Sequence, residues 1–132
     1  MTLQSTFKKQ FSCEFSAPKS EEASAKLLAA HDRLATLKPE YFSVTYGAGG
    51  STKDGTKQAV LDIRAKGADV APHLSFGGDS ADKIEALLDE YKSADVTRVV
   101  ALRGDMPSGT GGSVNLTYAN ELVEFIRQKT GD

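Results

Sequence analysis

The sequence predicts an α/β fold built around a parallel β-sheet. Short segments with the character of strands begin near Phe11, Tyr41, Asp69 and Arg98, and a segment with helical periodicity follows each of them. The strand starts lie about 30 residues apart, which is the length of one βα unit. Alternation of this kind is typical of a parallel sheet. Four such units fit either a small open α/β sheet or half of an eight-stranded barrel.

The first two units have clear boundaries between strand and helix. Residues 11–15 (FSCEF) alternate apolar and polar side chains and are expected to form a short strand, and Ser20 can cap the helix that follows. The second strand is predicted at residues 41–46, and its helix at residues 54–66. Gly67 then stands where a left-handed glycine commonly ends a helix.

The third and fourth units follow the same pattern with one weak point. The third strand is predicted at residues 69–74 (DVAPHL), although Pro72 offers no N–H to the sheet. Ser80 can cap the third helix. The fourth strand is predicted at residues 98–102 (RVVAL), and Asn115 can cap the last helix.

Composition and charge exclude several classes of function. Charged residues make up 26% of the 132 residues and the net charge is −2, which argues against a nucleic-acid partner. The single cysteine, Cys13, allows no internal disulfide and fits a reducing compartment. No apolar run approaches the roughly 20 residues that span a bilayer. Residues 1–10, which we expect to be flexible, lack the apolar core of a signal peptide. We therefore expect a cytoplasmic protein without a membrane partner.

Residues suited to ligand contact stand at the predicted carboxyl end of every strand. They are Glu14, Thr45, Tyr46, His73, Arg103, Gly104 and Asp105. Ligands bind at this edge of the sheet in both candidate architectures, so we expect these residues to form one site. The glycines at positions 47, 49 and 50 would let the backbone after the second strand come close to a ligand.

Several of these residues allow two interpretations. Glu14 could be a solvated carboxylate at a strand end or a general acid. His73 has no second histidine or cysteine nearby, which favours a structural hydrogen-bonding residue over a metal ligand. Arg103 and Asp105 could pair with each other, or bind an anionic and a cationic group of a ligand. Tyr118 could pack in the core or stack on a planar ligand. The residues alone indicate an anion- or cofactor-binding domain.

Five segments, taken in order, resemble one enzyme family. They are residues 11–20 (FSCEFSAPKS), 32–52 (DRLATLKPEYFSVTYGAGGST), 71–76 (APHLSF), 99–107 (VVALRGDMP) and 118–123 (YANELV). The set resembles methylenetetrahydrofolate reductase, and VTYGAGGS with ALRGD is its most specific part. The resemblance implies a flavin-containing (βα)8 TIM barrel, half of which residues 11–132 would supply. It also implies an FAD-dependent oxidoreductase of one-carbon metabolism and methionine biosynthesis. Such an enzyme reduces 5,10-methylenetetrahydrofolate to 5-methyltetrahydrofolate with NAD(P)H.

The resemblance also implies roles for individual residues. Glu14 matches the catalytic acid of the family, which protonates the folate so that its five-membered ring opens to an iminium. Asp105 matches a catalytic aspartate beside the flavin and the pterin, and Thr45 matches a threonine near the nicotinamide and the flavin. The positions that match cofactor-binding residues are Thr45, Tyr46, Ala48, His73, Arg103, Gly104, Asp105 and Ala119.

The chain departs from the family pattern in sequence and in length. Ser16, Ala17 and Pro18 stand where the family usually has a phenylalanine and two prolines, and Phe76 stands where a cysteine is common. Only four of the eight βα units are present, so we expect little or no reductase activity from this chain alone. The alternative is a free-standing half-barrel that binds a flavin or a phosphate without catalysis. Its uncovered sheet edges and apolar face would favour a homo-oligomer.

Overall fold

The computed structural model of the chain describes residues 9–46, 53–76, 80–103 and 118–131. Strands and helices alternate four times within these residues. They are β1 (Cys13–Phe15), α1 (Glu21–Ala35), β2 (Phe42–Val44), α2 (Lys53–Ala65), β3 (Val70–Leu74), α3 (Ala81–Ser93), β4 (Val100–Ala101) and α4 (Ala119–Thr130). The strands pair in parallel in the order β1-β2-β3-β4. The prediction of four parallel βα units is therefore confirmed.

The four helices pack on one face of the sheet. Alternate strand residues, among them Phe42, Val44, Val70 and Leu74, are buried on that face. The helical side chains in the same two core clusters include Leu27 of α1, Val60 and Ile63 of α2, Ile84 and Leu88 of α3, and Leu122 of α4. An open doubly wound sheet carries helices on both faces and reverses its strand order, whereas a barrel does neither. The fold is therefore half of a (βα)8 barrel.

Serine side chains start two of the helices, as predicted. The hydroxyl of Ser20 accepts a hydrogen bond from the N–H of Ala23 at 3.1 Å, and that of Ser80 accepts one from Lys83 at 3.3 Å. Each bond satisfies a backbone donor that the first turn of the helix leaves free. The predicted cap of α4, Asn115, lies outside the described residues. Within the described ranges, none of the helices combines the length and the hydropathy needed to cross a membrane.

β4 (Val100–Ala101) is shorter than the strand predicted at residues 98–102, and Pro72 explains the difference at its amino end. The carbonyl of Leu74 accepts a hydrogen bond from the N–H of Leu102 at 2.8 Å, so Leu74 directs its backbone groups toward β4. Backbone groups alternate in direction along a strand, so Pro72, two residues earlier, also faces β4. Proline has no N–H to donate. The sheet therefore lacks the bond that would extend β4 toward its amino end.

β1 and β2 are also shorter than predicted at residues 11–15 and 41–46, although backbone pairing continues beyond both of them. Before β1, the carbonyl of Phe11 accepts from the N–H of Glu40 at 2.8 Å. After β2, the N–H of Thr45 donates to the carbonyl of Phe15 at 3.0 Å. The main chain therefore holds the first two units together from the start of β1 to the carboxyl edge of the sheet.

Charged side chains tie the amino ends of the strands together. Nε of Arg98, which precedes β4, lies 2.7 Å from Oδ2 of Asp69, which precedes β3. Nη2 of Arg98 lies 3.3 Å from Oε1 of Glu40, which precedes β2, and the guanidinium covers the ring of Tyr41. This network links three consecutive units at the edge of the sheet opposite to the predicted site.

His31 of α1 should make the stability of the fold depend on pH. Its ring is buried edge-on against Phe42, with 4.4 Å between ring centroids, and its Nδ1 has no hydrogen-bond partner among the described residues. Burial lowers the pKa of His31 below its usual 6.5; Asp32 acts in the opposite sense, and Lys66 adds to the lowering. The folded chain therefore binds a proton less readily than the unfolded chain.

We expect the free energy of unfolding to be insensitive to His31 above about pH 7 and to fall as the pH drops below 6.5. The slope from this one group is at most about 1.4 kcal/mol per pH unit. Urea unfolding at several pH values should show a shallower acid decline in a His31→Phe variant. Equal declines in the two proteins would contradict the assignment.

Candidate functional site

The strand register places three polar side chains on the face of the sheet away from the helices. Glu14 of β1 pairs with Ser43 of β2, and Ser43 pairs with Ala71 of β3. Side chains alternate along a strand, so His73 lies on the same face as Ala71, two residues nearer the carboxyl end. Glu14, Ser43 and His73 thus converge on the inner face of the half-barrel.

These three side chains form a hydrogen-bonded cluster. Nε2 of His73 lies 2.9 Å from Oε1 of Glu14, and the hydroxyl of Ser43 donates to the same oxygen at 3.3 Å. The side chain of Glu14 is 57% exposed, that of His73 is only 12% exposed, and Ser43 is 5% exposed. The accessible carboxyl group of Glu14 is therefore held by hydrogen bonds from two residues, His73 and Ser43, that are largely buried.

This arrangement is suited to proton transfer. A carboxyl group that a ligand can reach, and that hydrogen bonds hold in place, can donate or accept a proton. Glu14 and His73 meet at the strand ends, as the sequence predicted. The contact agrees with the interpretation of His73 as a hydrogen-bonding residue, and its contact with FAD stays a prediction. In the parts of the chain that the structure describes, no group of three or more His, Cys, Asp or Glu side chains is arranged to hold a metal ion.

Sequence reasoning did not identify Ser43. It lies between two buried apolar residues, Phe42 and Val44, in a run that has the character of a buried strand. The sequence did contain one signal for it. Ser43 is polar, and its side chain must point to the face of the sheet opposite to that of Phe42 and Val44. Only the pairing of β1 with β2 shows that this position lies opposite Glu14.

Thr45 fixes the segment that follows β1. Its Oγ1 accepts a hydrogen bond from the N–H of Ala17 at 3.2 Å. Its carbonyl accepts one from the hydroxyl of the buried Thr56, on α2, at 2.7 Å. Thr45 therefore joins three consecutive parts of the fold just beyond the Glu14 cluster. The predicted role of Thr45 near the nicotinamide and flavin is separate from these bonds and stays a prediction.

The segment after β1 closely approaches α2. Pro18 is buried, and its carbonyl oxygen lies only 2.3 Å from the point where a Cβ on Gly55 would stand. Real Cβ atoms essentially never come this close to another heavy atom. The absence of a side chain at Gly55 thus lets the segment after β1 lie against the first turns of α2.

A second group of predicted site residues lies beside β4 and α4. The guanidinium of Arg103 stands 5.1 Å from the ring centroid of Tyr118, a cation–π distance. Tyr118 is the N-cap residue of α4 and is 54% exposed, so packing in the core is the wrong interpretation of this residue. Ala119 follows as the first residue of α4. An exposed aromatic ring and a guanidinium are together suited to a planar, anionic ligand.

The remaining predicted residues divide between described and undescribed parts of the chain. Tyr46 follows Thr45 and is half-buried. Ala48, Gly104 and Asp105 lie outside the described residues. The predicted alternative that Arg103 pairs with Asp105 therefore also falls outside them. The described residues therefore form two groups at the carboxyl edge, one around Glu14 and one around Arg103.

Comparisons with known proteins agree with the fold. The family model for methylenetetrahydrofolate reductase matches residues 2–132. The 5,10-methylenetetrahydrofolate reductase of Escherichia coli (strain K12) is 35% identical over 118 residues, which cover 89% of this chain and 39% of that protein. Methylenetetrahydrofolate reductase (NADH) 1 of Arabidopsis thaliana is 36% identical over 131 residues, covering 92% of this chain and 22% of that protein.

The chain thus spans about two fifths of its bacterial relative and about a fifth of its plant relative. Residues 2–132 of the family match include β1, which carries the accessible carboxyl group of Glu14, and the β4–α4 segment. The match covers nearly every residue of the chain and far exceeds half of its length. This chain belongs to the methylenetetrahydrofolate reductase family.

Proposed function

We propose that the chain supplies four βα units of a reductase that converts 5,10-methylenetetrahydrofolate to 5-methyltetrahydrofolate. The observation that carries the proposal is the Glu14 carboxyl group, exposed on the inner face and held by His73 and Ser43. Opening the five-membered ring of the folate needs a proton at a ring nitrogen, and an accessible, oriented carboxyl group can provide it. In this proposal Glu14 is the acid, and its proton passes from oxygen to that nitrogen. The reaction belongs in the cytoplasm.

The described residues near β4 fit a flavin dinucleotide. Arg103 offers a guanidinium for the pyrophosphate, and Tyr118 offers an exposed ring for a planar group. Thr45, Tyr46, Ala48, His73, Gly104, Asp105 and Ala119 complete the proposed set of cofactor contacts from this chain. Bound FAD would supply the hydride chemistry, with NAD(P)H as the reductant. Asp105 would place a negative charge beside the cationic folate.

Separate measurement of the two half-reactions tests this function. In a full-length reductase that contains this segment, NADH or NADPH should bleach the visible absorbance of the oxidised flavin. Addition of 5,10-methylenetetrahydrofolate should restore the absorbance and yield 5-methyltetrahydrofolate. Purified full-length protein without flavin, or with flavin that the folate fails to reoxidise, would contradict the proposal.

The 132-residue chain alone should show little or no NAD(P)H oxidation coupled to a flavin. Its four βα units provide only part of the wall of a (βα)8 barrel, and among the described residues β1 and β4 are each paired on one side only. We also expect the isolated chain to associate through these edges. Assays of NAD(P)H oxidation, with sedimentation to measure mass, check both expectations against the full-length reductase. Robust flavin-coupled turnover by a monomeric 132-residue chain would contradict them.

A further inference from the structure

We propose that Ser43 and His73 act as positioning residues that hold one oxygen of Glu14, so that the other oxygen carries the proton given to the folate. This inference rests on the proposed function, because it assigns atoms within the same acid. It goes beyond that function by adding Ser43 and by giving His73 a task other than contact with FAD.

The evidence begins with the position of Ser43 in the sheet. A nearly buried hydroxyl is costly to leave without a hydrogen-bond partner, and Ser43 directs its hydroxyl to Oε1 of Glu14. Its strand neighbours Phe42 and Val44 face the helices, so the backbone of β2 fixes the direction of this side chain. Ser43 is therefore a rigid donor on a central strand.

His73 reaches the same oxygen from the next strand. Its Nε2 lies 2.9 Å from Oε1, an ordinary hydrogen-bond distance, and its ring is largely buried. Oε1 of Glu14 therefore accepts two hydrogen bonds, one from Ser43 on β2 and one from His73 on β3. Strands place side chains more exactly than loops do, so the two bonds restrict the rotation of the carboxyl group.

The occupancy of Oε1 decides where the transferable proton resides. A carboxylate oxygen has about two lone-pair sites, and the two donors use both of those on Oε1. When Glu14 is protonated, its hydrogen therefore lies on Oε2. In the transfer, the O–H bond at Oε2 breaks as an N–H bond forms on the folate ring nitrogen. Glu14 is left as a carboxylate, with the Ser43 and His73 bonds still in place.

The same two bonds should strengthen during the transfer. Negative charge grows on Glu14 as the proton leaves, and hydrogen bonds to a charged acceptor are stronger than those to a neutral one. Donors already aimed at the developing charge need no reorganisation at that moment. Loss of either donor should therefore slow folate reduction more than it slows reduction of the flavin by NAD(P)H.

Stopped-flow measurement of both half-reactions in the full-length reductase tests this inference. We expect Ser43→Ala to lower the rate of folate reduction relative to flavin reduction by about two- to tenfold, and His73→Leu by about 10- to 100-fold. His73→Gln, which can place an N–H near the same position, should recover most of the loss. Ser43→Cys restores volume with a weak donor and should resemble Ser43→Ala.

Two control variants show what a change in the ratio of the two rates means. Ser75→Ala removes another buried serine, on the segment after β3, and should leave the ratio of the two rates unchanged. Glu14→Gln should lower the rate of folate reduction by about two to four orders of magnitude. If Glu14→Gln has no effect, the proposed function fails. If it has this effect while the Ser43 and His73 variants leave the ratio of the two rates unchanged, only the inference about positioning is overturned.

A spectroscopic measurement tests the inference without turnover. In ¹⁵N-histidine-labelled protein, neutral His73 should carry its proton on Nε2, and the Nε2 resonance should shift when Glu14 is replaced by glutamine. A neutral His73 with its proton on Nδ1 and none on Nε2 would overturn the assignment, because Nε2 would then have no proton to donate to Glu14.

Discussion

Glu14→Gln is expected to lower the reduction of methylenetetrahydrofolate by about two to four orders of magnitude in a full-length reductase that contains this segment. Glutamine keeps the shape of the side chain, and its amide oxygen can still accept from Ser43 and His73. Its amide nitrogen, however, has no acidic proton to transfer. The variant therefore removes the chemistry of the acid while leaving the surrounding hydrogen bonds intact.

The two half-reactions separate this effect from general damage to the site. Reduction of the flavin by NAD(P)H needs no proton from Glu14, so its rate should stay close to that of the parent protein. Glu40→Gln is a matched control, since Glu40 pairs with Arg98 at the amino ends of the strands, away from the cluster. Equal losses in both half-reactions of Glu14→Gln would show that Glu14 does more than donate a proton.

Gly55→Ala should destabilise the fold by about 1–3 kcal/mol, although alanine is normally the better helix residue by about 1 kcal/mol. The new Cβ would stand 2.3 Å from the carbonyl oxygen of Pro18. A backbone oxygen has no rotamer through which to escape, so the segment containing Pro18 must move. Ala17 in that segment is bonded to Thr45, so the movement should extend to the carboxyl edge of the sheet.

Gly67→Ala provides a matched comparison just beyond the other end of α2. A Cβ on Gly67 would meet nothing within 4 Å, but its φ of +91° is unfavourable for alanine. Both variants should lose stability in urea unfolding, and only Gly55→Ala should also weaken flavin binding in the full-length reductase. An increase in stability for Gly55→Ala, as helix propensity alone would give, would contradict the close approach to Pro18.

The sequence predicted the fold class because each unit repeats the same order of strand and helix at a regular interval. The alternation alone did not distinguish an open sheet from a barrel, since both architectures share it, and the resemblance to methylenetetrahydrofolate reductase favoured the barrel. The spatial order of the strands, and the placement of Phe42, Val70 and Leu74 against all the helices on one face, confirm that choice. These are properties of pairing and packing, which a linear pattern does not contain.

The absence of pairing information from the sequence also explains why the length of β4 and the role of Ser43 were not predicted. Pro72 was expected to weaken β3, which loses only Asp69 from its predicted range. Because the missing N–H of Pro72 faces β4, the larger loss falls on the amino end of β4. Glu14 and His73 could be predicted as neighbours because each is the next-to-last residue of its predicted strand. Ser43 could not, because the strand predicted at residues 41–46 placed it in the interior. In the structure β2 ends at Val44, so Ser43 occupies the same position in β2 as Glu14 does in β1, and its contribution depends on the register between them.

The hydrogen bond between Glu14 and His73 also has a consequence for how the site is assembled. Other bonds at the site, such as Ala17 to Thr45 and Ser43 to Glu14, join consecutive units. The His73 bond instead skips the second unit and joins the first strand to the third. On the ribosome, several seconds of synthesis, at roughly 5–20 residues per second, separate the two partners. Glu14, the proposed acid, is therefore synthesised before His73 and acquires its final orientation only when the third strand docks.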